Sequence, residues 1–311
     1  MPSRLKSIVL PLMAALLWGT AFVAQTDNTA PTFVFNAARS WVAVPFLLLL
    51  VLVFTKGDWR HLLRENTPAG TKSLWIGGIL CGTALFLACF FQQYGMDLMP
   101  QGTGAGRSGF ITAFYMILVP VFGLFFGEKN GWNIWIAAVL ALFGLYLLCV
   151  EDGFSVEKAD LTVFCCSVFF ALQIHAIDRF SVKCNCIRLS CVQFLTCAVL
   201  STVSALLFNR DVLPQLGTVL QANLKNILYL GIFSSGVAYL RQMVAQKGTN
   251  PAVVSILLSM ESVFSVLAGA VLKGELLSAR AFLGCGIMFL AVLLAQFDII
   301  GILRKKDKST M

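Results

Sequence analysis

Ten apolar runs, each close to twenty residues long and separated by short polar or Gly/Pro-rich connectors, decide what this chain can become. They lie near residues 7–26, 31–54, 73–96, 106–126 and 132–150, and then near 160–178, 188–208, 224–246, 250–272 and 279–300. A helix of about 20 apolar residues crosses the hydrocarbon core of a bilayer. In lipid the backbone must satisfy its own polar groups, which leaves helices or a closed barrel, and unbroken apolar runs select helices. A chain that is 58% hydrophobic and 12% charged, with mean hydropathy +0.83, cannot clothe a water-facing surface. The expectation is an all-α integral membrane protein of ten transmembrane helices. The net charge of +8 does not point to nucleic acid, because the Lys and Arg residues sit in short connectors and form no basic face.

Arg4 and Lys6 followed by an apolar stretch also fit the start of a signal peptide, but Phe22 stands where cleavage needs a small residue, so the segment is read as the first span. Of ten cysteines, Cys81, Cys89, Cys149, Cys165, Cys166, Cys191, Cys197 and Cys285 fall inside apolar runs, where a reduced Cys acts as a small hydrophobe. Cys184 and Cys186 form a C-x-C in a basic connector, and neither His61 nor His175 completes a zinc spacing with them. No metal site and no cofactor are expected.

Lys and Arg residues also orient the chain, because cytoplasmic connectors carry the positive excess. With the N-terminus inside, fifteen of the 23 are cytoplasmic and six are outside, while Arg39 and Arg241 lie within spans. Both termini are therefore expected in the cytoplasm, and the chain in the cell (cytoplasmic) membrane.

Five spans per half is an odd number, so two such halves must cross the membrane in opposite senses. Self-similarity supports a duplication. Gly127-Glu128 after span 4 recurs as Gly274-Glu275 after span 9, and at the same offset of 147 residues Ser108, Thr112 and Tyr115 fall on Ser255, Ser259 and Ser262. Each trio is spaced i, i+4, i+7 and lines one helix face with hydroxyls. Gly77 and Gly82 of span 3 match Gly231 and Gly236 of span 8 at an offset of 154. The chain divides into residues 1–152 and 153–311, two inverted five-helix repeats, the second ending in a short basic cytoplasmic tail.

At this point the chain resembles the drug/metabolite transporter superfamily, in its EamA type, over essentially its whole length. The residues behind the resemblance are Ala-Leu-Leu-Trp-Gly-Thr-Ala-Phe at 15–22, Arg39 in span 2, Ser-Met-Glu-Ser-Val-Phe from 259, and the doubled Gly-Glu. The resemblance implies a ten-span exporter or exchanger of amino acids or similar metabolites, often driven by a gradient. One departure concerns shape: the family usually has Glu-Pro in span 9, whereas this chain has Glu261-Ser262 and so lacks the proline that would bend that helix.

Charges inside spans carry the functional reading, because a charge at mid-bilayer costs several kcal/mol and persists where it lines a pathway or has a partner. Glu261 lies about 16 Å from the start of span 9, near the midplane. It either titrates during transport, coupling protons or binding an amine, or is a permanently protonated structural group. Arg39, eight residues into span 2, either holds a substrate carboxylate through its fork of donors or pairs with Glu261. Arg241, near a helix end, is expected to snorkel. Tyr115, Ser259 and Ser262 belong to the hydroxyl stripes, which line a cavity between the repeats or let helices pack closely. Trp18, beside Gly19 and Thr20, can stack on substrate, and Asn36, Gln92 and Gln93 are further polar groups able to face inward. Glu128 and Glu275 are read as solvated helix-end residues.

The reading is a secondary transporter of small polar metabolites such as amino acids, working by alternating access around a midplane site, with membrane lipids and a small-molecule substrate as partners and protons as the candidate coupling ion. A passive channel or lipid scramblase of the same fold is the alternative. A membrane-embedded enzyme would need paired carboxylates, a His-rich cluster or an activated nucleophile, and with two histidines the inventory points away from an enzyme.

Overall fold

The computed structural model describes residues 3–55, 62–99, 104–149, 157–273 and 278–296, and all regular structure among them is helical. In chain order the helices are α1 Ser3–Thr26, α2 Thr32–Phe54, α3 Pro68–Asp97, α4 Gly104–Thr112, α5 Tyr115–Phe125, α6 Trp132–Cys149, α7 Lys158–Ser181, α8 Cys186–Phe208, α9 Leu216–Ala222, α10 Leu224–Tyr229, α11 Tyr239–Gln246, α12 Pro251–Leu258, α13 Glu261–Lys273 and α14 Ala279–Gln296. A 3₁₀ turn precedes α9 and a π-helical segment, Leu230–Ala238, joins α10 to α11. Among the described residues nine helical stretches are long and apolar enough to cross a membrane, and the shorter Trp132–Leu148 makes a tenth. Gly274, Glu275, Glu151, Asp152 and the basic tail from Arg304 lie outside the described residues.

Local chemistry sets the helix starts. Pro68 occupies the first turn of α3, where a missing N–H costs nothing, and the Thr67 hydroxyl accepts from the Gly70 N–H. A reciprocal capping box of Glu157 and Asp160 opens α7. Large apolar side chains such as Phe125, Trp132 and Val271 remain exposed. They face the lipid, which is as apolar as they are.

The strongest helix packing runs between the halves. α2 lies along α8 and α6 along α14, while α3 packs on α7 and α8, as the π-helical segment and α11 pack on α1 and the π-helical segment on α2. α1 against α13 is matched by α7 against α4 and α5. Exchanging the first five spans for the second five maps this pattern onto itself, as two related repeats require. Gly82 sits against α8 and Gly236 against α2, equivalent close approaches, while Gly77 lies on α7 and Gly231 on α2.

Two helices are interrupted at matching places. α4 stops at Thr112 and α5 begins at Tyr115; α12 stops at Leu258 and α13 begins at Glu261. At each break the backbone tightens to i−3 hydrogen bonds: Phe114 N–H to Ile111 C=O at 3.2 Å, and Met260 N–H to Leu257 C=O at 3.3 Å. No proline is needed for the second break. The Ser255 and Ser259 hydroxyls donate to the Ala252 and Ile256 carbonyls, both at 2.8 Å, and such back-bonding bends helices. The second break is therefore present without the proline that the family usually carries there.

Candidate functional site

The two breaks face a central cavity of about 40 Å³. At about 10–15 Å³ per water that is room for roughly three waters, so the shape described is a nearly closed one. Its lining draws on both halves: Trp18, Phe22 and Gln25 of α1, Arg39 of α2, Gln92 of α3, Thr112 and Tyr115 at the first break, Phe170, Gln173 and Ile174 of α7, Ser234, Tyr239 and Gln242 of the eighth span, and Leu258 and Glu261 at the second break.

Two ionisable side chains dominate it. Arg39 is 6% exposed and Glu261 5% exposed. The Tyr115 hydroxyl donates to Glu261 Oε1 at 3.2 Å. Arg39 is set against the Cys89 thiol, with Tyr239 and Cys197 beside it. Among the described residues no carboxylate lies within 4 Å of its guanidinium, so the Arg39–Glu261 pair that the sequence left open is not formed. A buried cation and a separate carboxyl thus border one small space, neither with an opposite charge within 4 Å among the described residues. Such groups are expensive to hold unless something else compensates them.

The breaks place these groups. Tyr115 and Glu261 are each the first residue of the second half-helix, and the N–H groups of Met116, Ile117, Ser262 and Phe264 that follow them are bonded to carbonyls of the break. Aromatic rings complete the lining. Trp18 and Tyr239 have ring centroids 4.7 Å apart, and Trp18 Nε1 donates to the Ser234 carbonyl at 3.3 Å. That carbonyl belongs to the π-helical segment, a geometry that recurs at functional sites.

Amides close one end. Gln242 Nε2 donates to Gln173 Oε1, and Gln173 Nε2 to Gln193 Oε1, both at 3.3 Å. Gln246 Nε2 donates to the Ile174 carbonyl at 3.1 Å. Replacing Gln173 by Leu strands an amide donor on Gln242 and an acceptor on Gln193. A buried unpaired group costs about 1–3 kcal/mol, so Gln173→Leu is expected to lower the thermal midpoint of the detergent-solubilised protein by several degrees. An unchanged midpoint would show that the three amides are not coupled.

Of the residues singled out from the sequence, Trp18, Arg39, Gln92, Tyr115 and Glu261 come together on the cavity. Asn36, Ser259 and Ser262 do not line it. Asn36 Nδ2 donates to the Cys89 carbonyl at 3.3 Å, Ser259 bonds within its own helix, and the Ser262 hydroxyl donates to the Gly109 carbonyl at 3.3 Å, tying α13 to α4. Gln173, Gln242 and Tyr239 were missed. The two amides carried the same signal as Gln92, a polar group inside an apolar run; Tyr239 carried none that separates it from a packing aromatic. Glu128 lies just past the end of α5 and is partly exposed, as the sequence suggested, while its Oε1 lies 3.3 Å from His175 Nδ1 and its Oε2 is buried.

Comparison with known proteins agrees with this architecture. The EamA-like transporter family profile matches residues 5–150 and again 157–297. An uncharacterized transporter of Archaeoglobus fulgidus is 28% identical over 295 residues, 92% of this chain and 84% of the relative. The uncharacterized transporter YwfM of Bacillus subtilis is 26% identical over 295 residues, 91% and 90% of the two chains. A solved crystal structure superposes with a TM-score of 0.74 at 21% identity, over 93% of this chain and 96% of that one. At that identity the likeness shows the fold.

Proposed function

The chain belongs to the EamA-like transporter family and is a multi-pass membrane protein, and from that premise we propose that it is a secondary transporter of small zwitterionic metabolites such as amino acids. The observation that carries this reading is Arg39, a buried guanidinium with no carboxylate within 4 Å among the described residues, lining the same cavity as Glu261. A substrate carboxylate supplies the anion that Arg39 lacks, and its bidentate geometry suits the guanidinium fork. A substrate ammonium finds Glu261, with the faces of Trp18 and Tyr239 nearby for cation–π contact.

The same carboxyl gives a route to coupling. When the cavity is empty, a proton on Glu261 removes its charge; when an ammonium arrives, the proton leaves and the carboxylate pairs with the substrate. One group then serves proton and substrate in turn, which makes the cycle an exchange and suits an exporter driven by an inward proton gradient. Rocking of the repeats about the half-helix breaks would expose the site alternately to the two sides. The distribution of Lys and Arg supports placement in the cytoplasmic membrane with both termini inside.

The test is uptake of labelled amino acids, nucleobases and organic cations into proteoliposomes, with and without a pH gradient. Saturable uptake of a zwitterion, accelerated by the gradient, is expected for the wild type. Glu261→Gln should slow it by about tenfold or more, the worth of one charge-assisted hydrogen bond of about 1.5–3 kcal/mol, and should abolish the gradient's effect. Unaltered rate and pH dependence in this variant would remove Glu261 from the mechanism, and flux proportional to concentration without saturation would favour a channel.

A further inference from the structure

A second opening in the molecule lies away from the central cavity, on the flank where α3, α7 and the turn after α5 meet. It is a groove of about 670 Å³, within the range of ligand pockets. Its shaft is apolar, with Leu80 and Leu87 on one wall and Phe169 and Leu172 on the other, and one end carries Glu128, His175, Asp178 and Arg179. Leu80, Leu172 and Phe126 at its rim are exposed, so in a membrane protein the groove opens to lipid.

The charged end is only partly self-satisfied. His175 is used on both ring nitrogens, Nδ1 lying 3.3 Å from Glu128 Oε1 and Nε2 lying 2.9 Å from the Val119 carbonyl, with the Phe126 ring 5.0 Å away. Glu128 Oε2 is buried and has no hydrogen-bond partner. Among the described residues Asp178 makes no ion pair within 4 Å, and neither does Arg179. The groove therefore offers one acidic corner and one cation at the head of an apolar shaft about two helical turns long. In the orientation above this end lies at the cytoplasmic face.

We propose that this groove is a binding site for a phospholipid of the inner leaflet whose head bears both a phosphate and a primary ammonium, as phosphatidylethanolamine does. The phosphate meets Arg179, the ammonium donates to the two carboxylate oxygens of Asp178, and an acyl chain lies between α3 and α7. An ammonium has three N–H donors for these acceptors. A trimethylated head has none, and an anionic glycerol head would set no cation against Asp178.

Native mass spectrometry of the full chain, offered equal amounts of phosphatidylethanolamine, phosphatidylcholine and phosphatidylglycerol with identical acyl chains, tests this. One phosphatidylethanolamine should be retained about tenfold more than either competitor, as the loss of a charge-assisted hydrogen bond implies. Asp178→Asn should reduce the preference to about twofold or less, and Thr83→Trp, which fills the groove, should lower retention of all three lipids. Equal retention of the three lipids by the wild-type protein would overturn the proposal without recourse to any variant. So would a preference that survives both Asp178→Asn and Thr83→Trp in protein of unchanged elution volume and helix content. A groove-filling variant that strips lipid with no headgroup preference to begin with would likewise overturn it, leaving only an acyl-chain crevice.

Discussion

Arg39→Leu should reduce the transport of carboxylate-bearing substrates by about 10²–10³-fold in kcat/KM, the scale of about 2–5 kcal/mol for removing one partner of a buried hydrogen-bonded charge pair. Arg39→Lys should fall between the two, since it keeps the charge and loses the planar fork. The control is the substrate itself: an amino acid amide has no carboxylate for Arg39 to hold, so any transport of it should be nearly indifferent to the substitution. A loss that is equal for acid and amide would instead mean that Arg39 supports the fold through its contacts with Cys89 and Tyr239. Wild-type kinetics in Arg39→Lys would argue against bidentate binding.

Gly19→Val should damage both stability and transport. At Gly19 helix α1 touches the start of α13: a Cβ there would stand 2.5 Å from Phe264 Cβ, 2.7 Å from the Ser265 nitrogen and 2.8 Å from the Glu261 carbonyl oxygen. Two of those three atoms are backbone, so no rotamer relieves the overlap and the helices must part. Overpacking of this kind costs about 1–3 kcal/mol or more. The displaced segment also carries Glu261, so transport should fall even in molecules that fold. Gly19→Ala should show the same sign with a smaller loss, read as detergent melting temperature and as uptake rate. Wild-type melting and uptake in Gly19→Ala would mean that the α1–α13 crossing yields cheaply.

How much of this was legible beforehand depended on whether a feature belongs to a residue or to its surroundings. Hydropathy is a property of single residues summed over a window, so ten spans, the odd number per half and the 147-residue offset could be read directly. A lone charge in an apolar run is equally conspicuous, and Glu261 and Arg39 both turned up on the cavity. Small hydroxyls are different. Ser259 satisfies itself on the Ile256 carbonyl of its own helix, so its polarity does not say which way it faces. The eighth span hides its site residues for another reason. A π-helical turn adds a residue to the ladder and rotates everything beyond it by about 100°, so the 3.6-residue period does not say on which side Tyr239 and Gln242 emerge from Leu230–Ala238. From the sequence the break in span 9 stays in doubt, because the proline that usually marks one is absent there.

The exchange of partners between halves has a consequence for how the protein is made. α2, α3 and α6 find their principal neighbours in α7, α8 and α14. During synthesis the first five spans therefore enter the bilayer with their most complementary faces uncovered, and they must stay near the insertion machinery, or be sheltered there, until the later spans emerge. A half released early is a natural substrate for quality-control proteases. Two fragments produced from separate messages in one cell, by contrast, carry the α2–α8, α3–α7 and α6–α14 contacts through which they can reassemble.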